Sequence, residues 1–206
     1  QVLTLRNLEL KRGATDQGTV AGNCTSSSGQ GAAVCALGAV LLNNSTITQS
    51  YTLNAGGGGM YVENGDLIAI RSVVMVNSIF NANAAEGGGG IYVKNGAVAL
   101  LESLVAGNHT YGPFAAGGGI FVDGGALIMS NSTLSDNGTL DDFAPGGGAH
   151  VENGDIEIQS STVSGNSTAF AATLSFGGGL SVVDGDMTIN ASTVTNNNAA
   201  AGRGLY

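Results

Sequence analysis

Tryptophan is absent from this chain, aromatic residues make up only 5% of it, and lysine and arginine together number six. So few large side chains would fill a globular core of 206 residues poorly, since aromatic rings carry much of the buried area in such cores. Six basic residues against fifteen acidic ones leave a formal charge of −9, which argues against nucleic acid and anionic membrane surfaces as partners. No apolar run approaches the roughly 18 residues that a membrane-spanning helix needs. No signal peptide opens the chain, so a secreted origin implies that the peptide has already been removed. Cysteine is limited to Cys24 and Cys35, too few for a disulfide framework and, with neither histidine near in sequence, a poor start for a metal site.

Glycine, by contrast, is abundant at 35 residues, and it recurs in register. The stretch Gly87-Gly88-Gly89-Gly90-Ile91-Tyr92-Val93-Lys94-Asn95-Gly96-Ala97-Val98-Ala99-Leu100 is restated along the chain. Glycine blocks precede short apolar strands at Met60, Ile91, Ile120, Ala149 and Leu180, in steps of 31, 29, 29 and 31 residues. A degenerate copy begins at Gly31, and the last is the stub Gly202-Arg203-Gly204-Leu205-Tyr206. Each first strand ends in a pair suited to positive φ, such as Asn64-Gly65, Asn95-Gly96 or Asp184-Gly185. Asn-Gly between strands is also a hairpin signal. Hairpins, however, would not need identical residues every thirty positions, whereas a coil that stacks on its own copy would.

The second strand alternates with period two and yields apolar columns. Leu3, Val40, Leu67, Val98, Leu127, Ile156 and Met187 form one. Leu5, Leu42, Ala69, Leu100, Met129, Ile158 and Ile189 form the next, and Leu10, Ile47, Val74, Val105, Leu134, Val163 and Val194 a third. Each coil then ends on a polar residue: Ser50, Asn77, Asn108, Asn137, Asn166 or Asn197. Two or three short strands per coil of about 30 residues, repeated about seven times, indicate an all-β, right-handed parallel β-helix solenoid. The expected organisation is one domain over residues 1–206, with an inserted loop from Lys11 to Gly31 and incomplete coils at both ends.

The spacing of Gly-Gly-Gly, aromatic and Asn-Gly, together with Asn-Ser-Thr segments such as Asn131-Ser132-Thr133, resembles the right-handed parallel β-helix repeats of bacterial secreted and surface proteins. These include the polymorphic-outer-membrane-protein and autotransporter-passenger types. The resemblance covers residues 31–206 and the strand at 2–10, and it implies a fold rather than an activity.

Cys24 and Cys35, in a secreted context, are expected to form one disulfide pinning the inserted loop. Sequons occur at Asn23, Asn43, Asn44, Asn108, Asn131, Asn137, Asn166 and Asn190, of which Asn23, Asn108, Asn137 and Asn166 are candidate glycan sites. Polar corners of a repeat produce the same pattern without any sugar. Alignment of the copies sets Arg71 between Asn44 and Glu102, and Lys94 between Glu63 and Asp123, as cross-strand charge partners. His150 falls in the column of Tyr61, Tyr92, Phe121 and Ser181, which is expected to face outward as an aromatic row.

Three function classes follow. A polysaccharide-active enzyme would need convergent carboxylates, and Asp123, Asp141, Asp142 and Glu152, beside His150, are the candidates. An ice-binding face would use the outward hydroxyls of Thr46, Thr48, Thr133, Ser135, Thr162, Ser164, Thr193 and Thr195, but Val73, Met75, Leu104 and Ala106 interrupt it. The favoured expectation is a non-enzymatic structural or adhesive protein, extracellular or on a cell surface, with no cofactor or metal. Its partners would be itself, adjoining β-helix coils or cell-surface glycans. The incomplete terminal coils carry that expectation. Gln1, Leu3, Leu5 and Leu10 supply a second strand onward, and Gly204, Leu205 and Tyr206 supply a first strand, so either two copies share one composite coil and grow as an open filament, or the chain is a segment of a larger surface adhesin whose neighbouring coils give the same cover.

Overall fold

The computed structural model describes residues 2–16, 30–53, 55–80, 87–169, 175–200 and 204–206. Every strand pairs in parallel with its own repeat copy in the adjoining coils, and the chain winds through four sheets in the order D, A, B, C. In the coil that starts at Met60 these are Met60–Glu63 in sheet D, Leu67–Ile70 in A, Val73–Met75 in B and Ser78–Phe80 in C. Sheets A and B are seven strands deep, sheets C and D six. At about 4.8 Å per strand the six intervals of sheet A give a stack on the order of 29 Å tall.

The expected columns are the core. Leu3, Val40, Leu67, Val98, Leu127, Ile156 and Met187 are consecutive register partners in sheet A. From Val40 to Ile156 they are buried together with Leu42, Leu100, Met129 and Ile158. Fully burying one such side chain contributes about 1.5–3 kcal/mol, and every coil repeats the gain.

Two expectations about the coil need correction. The chain does not finish its coil at the asparagine: it turns there into sheet C, so each full coil has four strands rather than two or three. Five complete four-strand turns therefore stand between incomplete ones, against an expected seven coils. Sheet C was hard to see because its strands are only two or three residues long and their inward positions, Thr52, Ile79, Thr110, Thr139 and Thr168, are mostly polar. The inserted loop also begins later than expected, because Ala14–Asp16 is a sheet C strand paired with Tyr51–Leu53. Residues 17–29, with Cys24 and Asn23, lie outside the described part, as does Gln1.

Corners are made by left-handed residues. Between sheets A and B stand Asn7, Asn44, Arg71, Glu102, Asn131, Ser160 and Ala191, with φ between 45° and 52°. Each of them but Asn7 is followed by a serine whose backbone N–H, in Ser45, Ser72, Ser103, Ser132 and Ser161, donates to the hydroxyl oxygen of the next serine at 3.0–3.2 Å. Between sheets B and C the same conformation falls on Arg12, Gln49, Val76, Gly107, Asp136, Gly165 and Asn196. Val76, at φ 55°, is the β-branched exception in that column.

The asparagines just past this second corner form a buried ladder. Nδ2 of Asn108 donates to Oδ1 of Asn137 at 2.9 Å and to the carbonyl of Val74 at 3.0 Å. Its backbone N–H donates to the same Oδ1 at 3.0 Å. Asn77, Asn137 and Asn166 repeat the pattern into Asn108, Asn166 and Asn197. Interior polar groups need such partners, and here each coil supplies them to the one before it.

Candidate functional site

The first candidate is the row on sheet D. Tyr61, Tyr92, Phe121 and His150 occupy successive register positions, flanked by Cys35 and Ser181. Their ring centroids lie 5.2, 5.0 and 5.6 Å apart, the last two pairs being stacked. The row was expected to face outward, and it is instead buried at 1–3% exposure. The glycine-rich segment covers it: a β-carbon on Gly56 would lie 2.4 Å from the Tyr92 ring, and one on Gly146 or Gly177 would lie 2.8 Å from the β-carbon of His150 or Ser181. The glycines are thus small because a second, aromatic core lies beneath them.

His150 ends that ring stack. Its Nε2 lies 3.1 Å from Oε1 of Glu152 on the same strand, while its Nδ1 and the hydroxyl of the neighbouring Ser181 are buried without a hydrogen-bond partner. The hydrogen bond from His150 holds the Glu152 carboxyl below its ordinary pKa, outweighing the opposing effect of burial. On sheet C, burial pushes the His109 imidazole down.

Of the candidate carboxylates, the structure brings two together. Asp123 and Glu152 are register partners at the ends of adjoining sheet D strands. Asp141 and Asp142 sit in an exposed turn before the start of that sheet, beyond the other end of its strands, where the backbone N–H of Asp142 donates to Oδ1 of Asp141. His150 is 1% exposed, while Asp123 and Glu152 are half-buried. The register neighbours of Lys94 and Arg71 are as expected, but the ion pairs are not formed. Among the described residues the Lys/Arg ion pair is Lys11 with Glu9, and His150 makes its hydrogen bond to Glu152.

The candidate glycan sites need the same correction. Asn108, Asn137 and Asn166 are 0–1% exposed, with Nδ2 committed to the ladder, so a sugar on any of them is incompatible with it. Asn44, Asn131 and Asn190 are exposed.

The second candidate is the end face of the stack. Sheet D begins one coil later than sheets A, B and C, with Val34–Leu37. Beside that strand lies a cavity of about 300 Å³ lined by Val2, Leu3, Cys35, Ala36, Leu37, Gly38 and Ala39. Leu3 is 40% exposed there, while Leu5 and Leu10 pack against the core. At the other end Leu205 bridges Leu180 in parallel, and Tyr206 stacks on Phe176 at 4.5 Å. Leu205 and Tyr206 remain 41% and 56% exposed.

Residues 71–206, more than half of the chain, match the family model described as right handed beta helix region. The chain belongs to the right-handed β-helix family. This gives the stacked coils their hand. No curated protein and no solved structure matches the chain. Within the β-helix family frame, the glycine blocks and asparagine corners are parts of the scaffold, and the surfaces left for function are the end faces and the outer sides of the sheets.

Proposed function

We propose that the protein is a non-enzymatic structural or adhesive component of a cell surface or extracellular matrix, of the kind bacteria secrete, and that it works by adding coil to coil. The observation that carries this reading is the end-face cavity, which, among the described residues, has the place of a further sheet D strand beside Val34–Leu37. The strand ending Gly204-Leu205-Tyr206 has the matching pattern. Leu205 already continues the core column of Leu180, so on a second copy it would follow onto Val34, with Tyr206 over Cys35. Parallel pairing of this kind satisfies main-chain groups that an open edge leaves to water. A heterologous contact that does not close by rotation extends into a fibre.

Light scattering and electron microscopy of the purified chain test the proposal. Concentration-dependent fibres that vanish when Gly204 to Tyr206 are deleted support it. A chain that stays monomeric at high concentration refutes self-assembly and leaves adjoining coils of a longer surface protein as the cover. Turnover of acidic polysaccharide that is lost on changing Asp123 or Glu152 would refute the non-enzymatic reading.

A further inference from the structure

The outer side of sheet A carries a pattern that the fold does not require. Outward residues there form two columns along the stack. From the first coil onward these are Thr4, Leu41, Ile68, Ala99, Ile128, Glu157, Thr188 and Arg6, Asn43, Ile70, Leu101, Ser130, Gln159, Asn190. The middle is apolar: Ile68, Leu101 and Ile128 are 37–39% exposed, while Leu41, Ile70 and Ala99 are partly covered. The two ends are polar. At the adjoining corner Arg71 and Glu102 are exposed neighbours that make no ion pair among the described residues, and Arg6 and Glu157 likewise make none there.

This face is complementary to itself about a point between the strand of Ile68 and that of Ala99. A twofold axis along the strand direction at that point turns a second copy antiparallel and matches each strand with one equally far on the other side. It sets Ile68 against Ala99 and Ile70 against Leu101, both apolar pairs, the first large against small. One strand farther out it sets Leu41 against Ile128 and Asn43 against Ser130, apolar on apolar and polar on polar. Farther still, Arg6 comes opposite Gln159 with Glu157 beside it. At the corner, Arg71 of each copy faces Glu102 of the other. Two unneutralised charge pairs and two apolar rows are thus brought into match by one operator, as an isologous contact demands.

We infer that the outer face of sheet A is a docking surface for a second copy of this chain, laid antiparallel across that axis. The face measures roughly 25 by 13 Å from the strand spacing and rise. At about 325 Å² per copy the contact falls below the range of stable interfaces, so the pair is weak and dissociates on dilution. This side-by-side contact shares no residue with the cavity proposed above to take a strand end to end.

The test uses the chain from a host that does not glycosylate, both intact and with Gly204 to Tyr206 removed so that end-to-end growth is silent. Sedimentation should show a concentration-dependent species of twice the chain mass of 20.3 kDa. Arg71→Glu or Glu102→Arg alone should raise its dissociation constant about tenfold or more, and the double reversal should restore it, since like charges across an interface are costly. Circular dichroism and thermal unfolding of each variant establish that the fold is kept. Leu41→Cys mixed with Ile128→Cys should cross-link between chains, while neither alone should, because each lies about 14 Å along the stack from its own copy in the pair. A monomer at every concentration, single reversals without effect, or Leu41→Cys linking to itself would each overturn the inference.

Discussion

A β-carbon placed on Gly90 would lie 2.8 Å from Cγ of Asn108, and the same closeness joins Gly59 to Asn77, Gly119 to Asn137, Gly148 to Asn166 and Gly179 to Asn197. The two most conspicuous features of the repeat, its glycine block and its asparagine, are therefore one contact seen twice. The amide lies close against a glycine and reaches both the next asparagine and a carbonyl of the previous coil.

Gly90→Ala should destabilise the fold by about 3 kcal/mol, the upper range for forcing a methyl group into packed space. Asn108→Ala should cost about as much or more, because it strips the shared acceptor from both the backbone N–H and Nδ2 of the buried Asn77. The two losses should add only in part, since the smaller side chain at 108 relieves the methyl group at 90 on one side while the carbonyl oxygen of Gly119, at 2.9 Å, still crowds it. Urea unfolding of the two single variants and the double variant measures the coupling.

Val76→Asn should stabilise the protein by about 1 kcal/mol or more, because a β-branched residue at positive φ is strained whereas asparagine accepts it. Val76→Gly should gain less, since glycine loses more chain entropy on folding. The side chain is 49% exposed, so little packing is lost in either case, and thermal denaturation reads the difference.

Stability should decline in acid by a route traceable to Glu152 and His109. The folded-state pKa of Glu152 is depressed, so its contribution is present above the ordinary value of 4.5 and is lost as pH falls through the lower folded value. His109 is depressed from 6.5 by burial, so the unfolded chain takes up its proton first and stability begins to fall below that pH. His150→Phe should flatten the Glu152 part while leaving the His109 part. It should hold or raise stability at neutral pH, since it continues the ring stack and removes the unpartnered Nδ1. Denaturant midpoints from pH 3 to 8 separate the two parts on the pKa values involved.

Expression in a glycosylating host should place sugar on Asn44, Asn131 or Asn190, which are exposed, and not on Asn108, Asn137 or Asn166. Peptide mass spectrometry reads the occupancy site by site. Since Asn44 and Asn131 flank Arg71 and Glu102 in the same corner column, glycan there should also abolish side-by-side pairing.

How much of this could be read in advance depended on how each residue announces itself. The columns through Leu67, Ala69 and Val74 were legible because alternation and a fixed repeat leave one register in which apolar residues stack. Sheet C was not, because its inward threonines lack the apolar mark and find their partners locally: Oγ1 of Thr110 donates to the carbonyl of Ala115 at 2.8 Å. The row of Tyr92 was assigned to the right column but to the wrong side of the surface. Alternation tells which face of a strand a residue takes, and not whether a loop then lies over it. The glycines over the row carried that signal, since a segment stripped of side chains is a segment that something else must fit beneath. The end-face residues Leu3, Leu5, Leu10 and Leu205 were placed correctly by the same columns. The ion pairs of Arg71 and Lys94 were not, because adjacency of two long side chains at a wet surface brings too little energy to fix them together.

The asparagine ladder has a further property, since every link in it points the same way. Nδ2 of Asn77, Asn108, Asn137 and Asn166 each donates to the residue one coil further along the chain, so the side-chain dipoles add up instead of cancelling. Aligned amides polarise one another, and each link strengthens the next. At one end the run is stopped by Ser50, which offers its backbone N–H to Asn77 and has no amide to relay. The interior of this rod is thus an electrically oriented wire, and the two directions along its axis are chemically unequal.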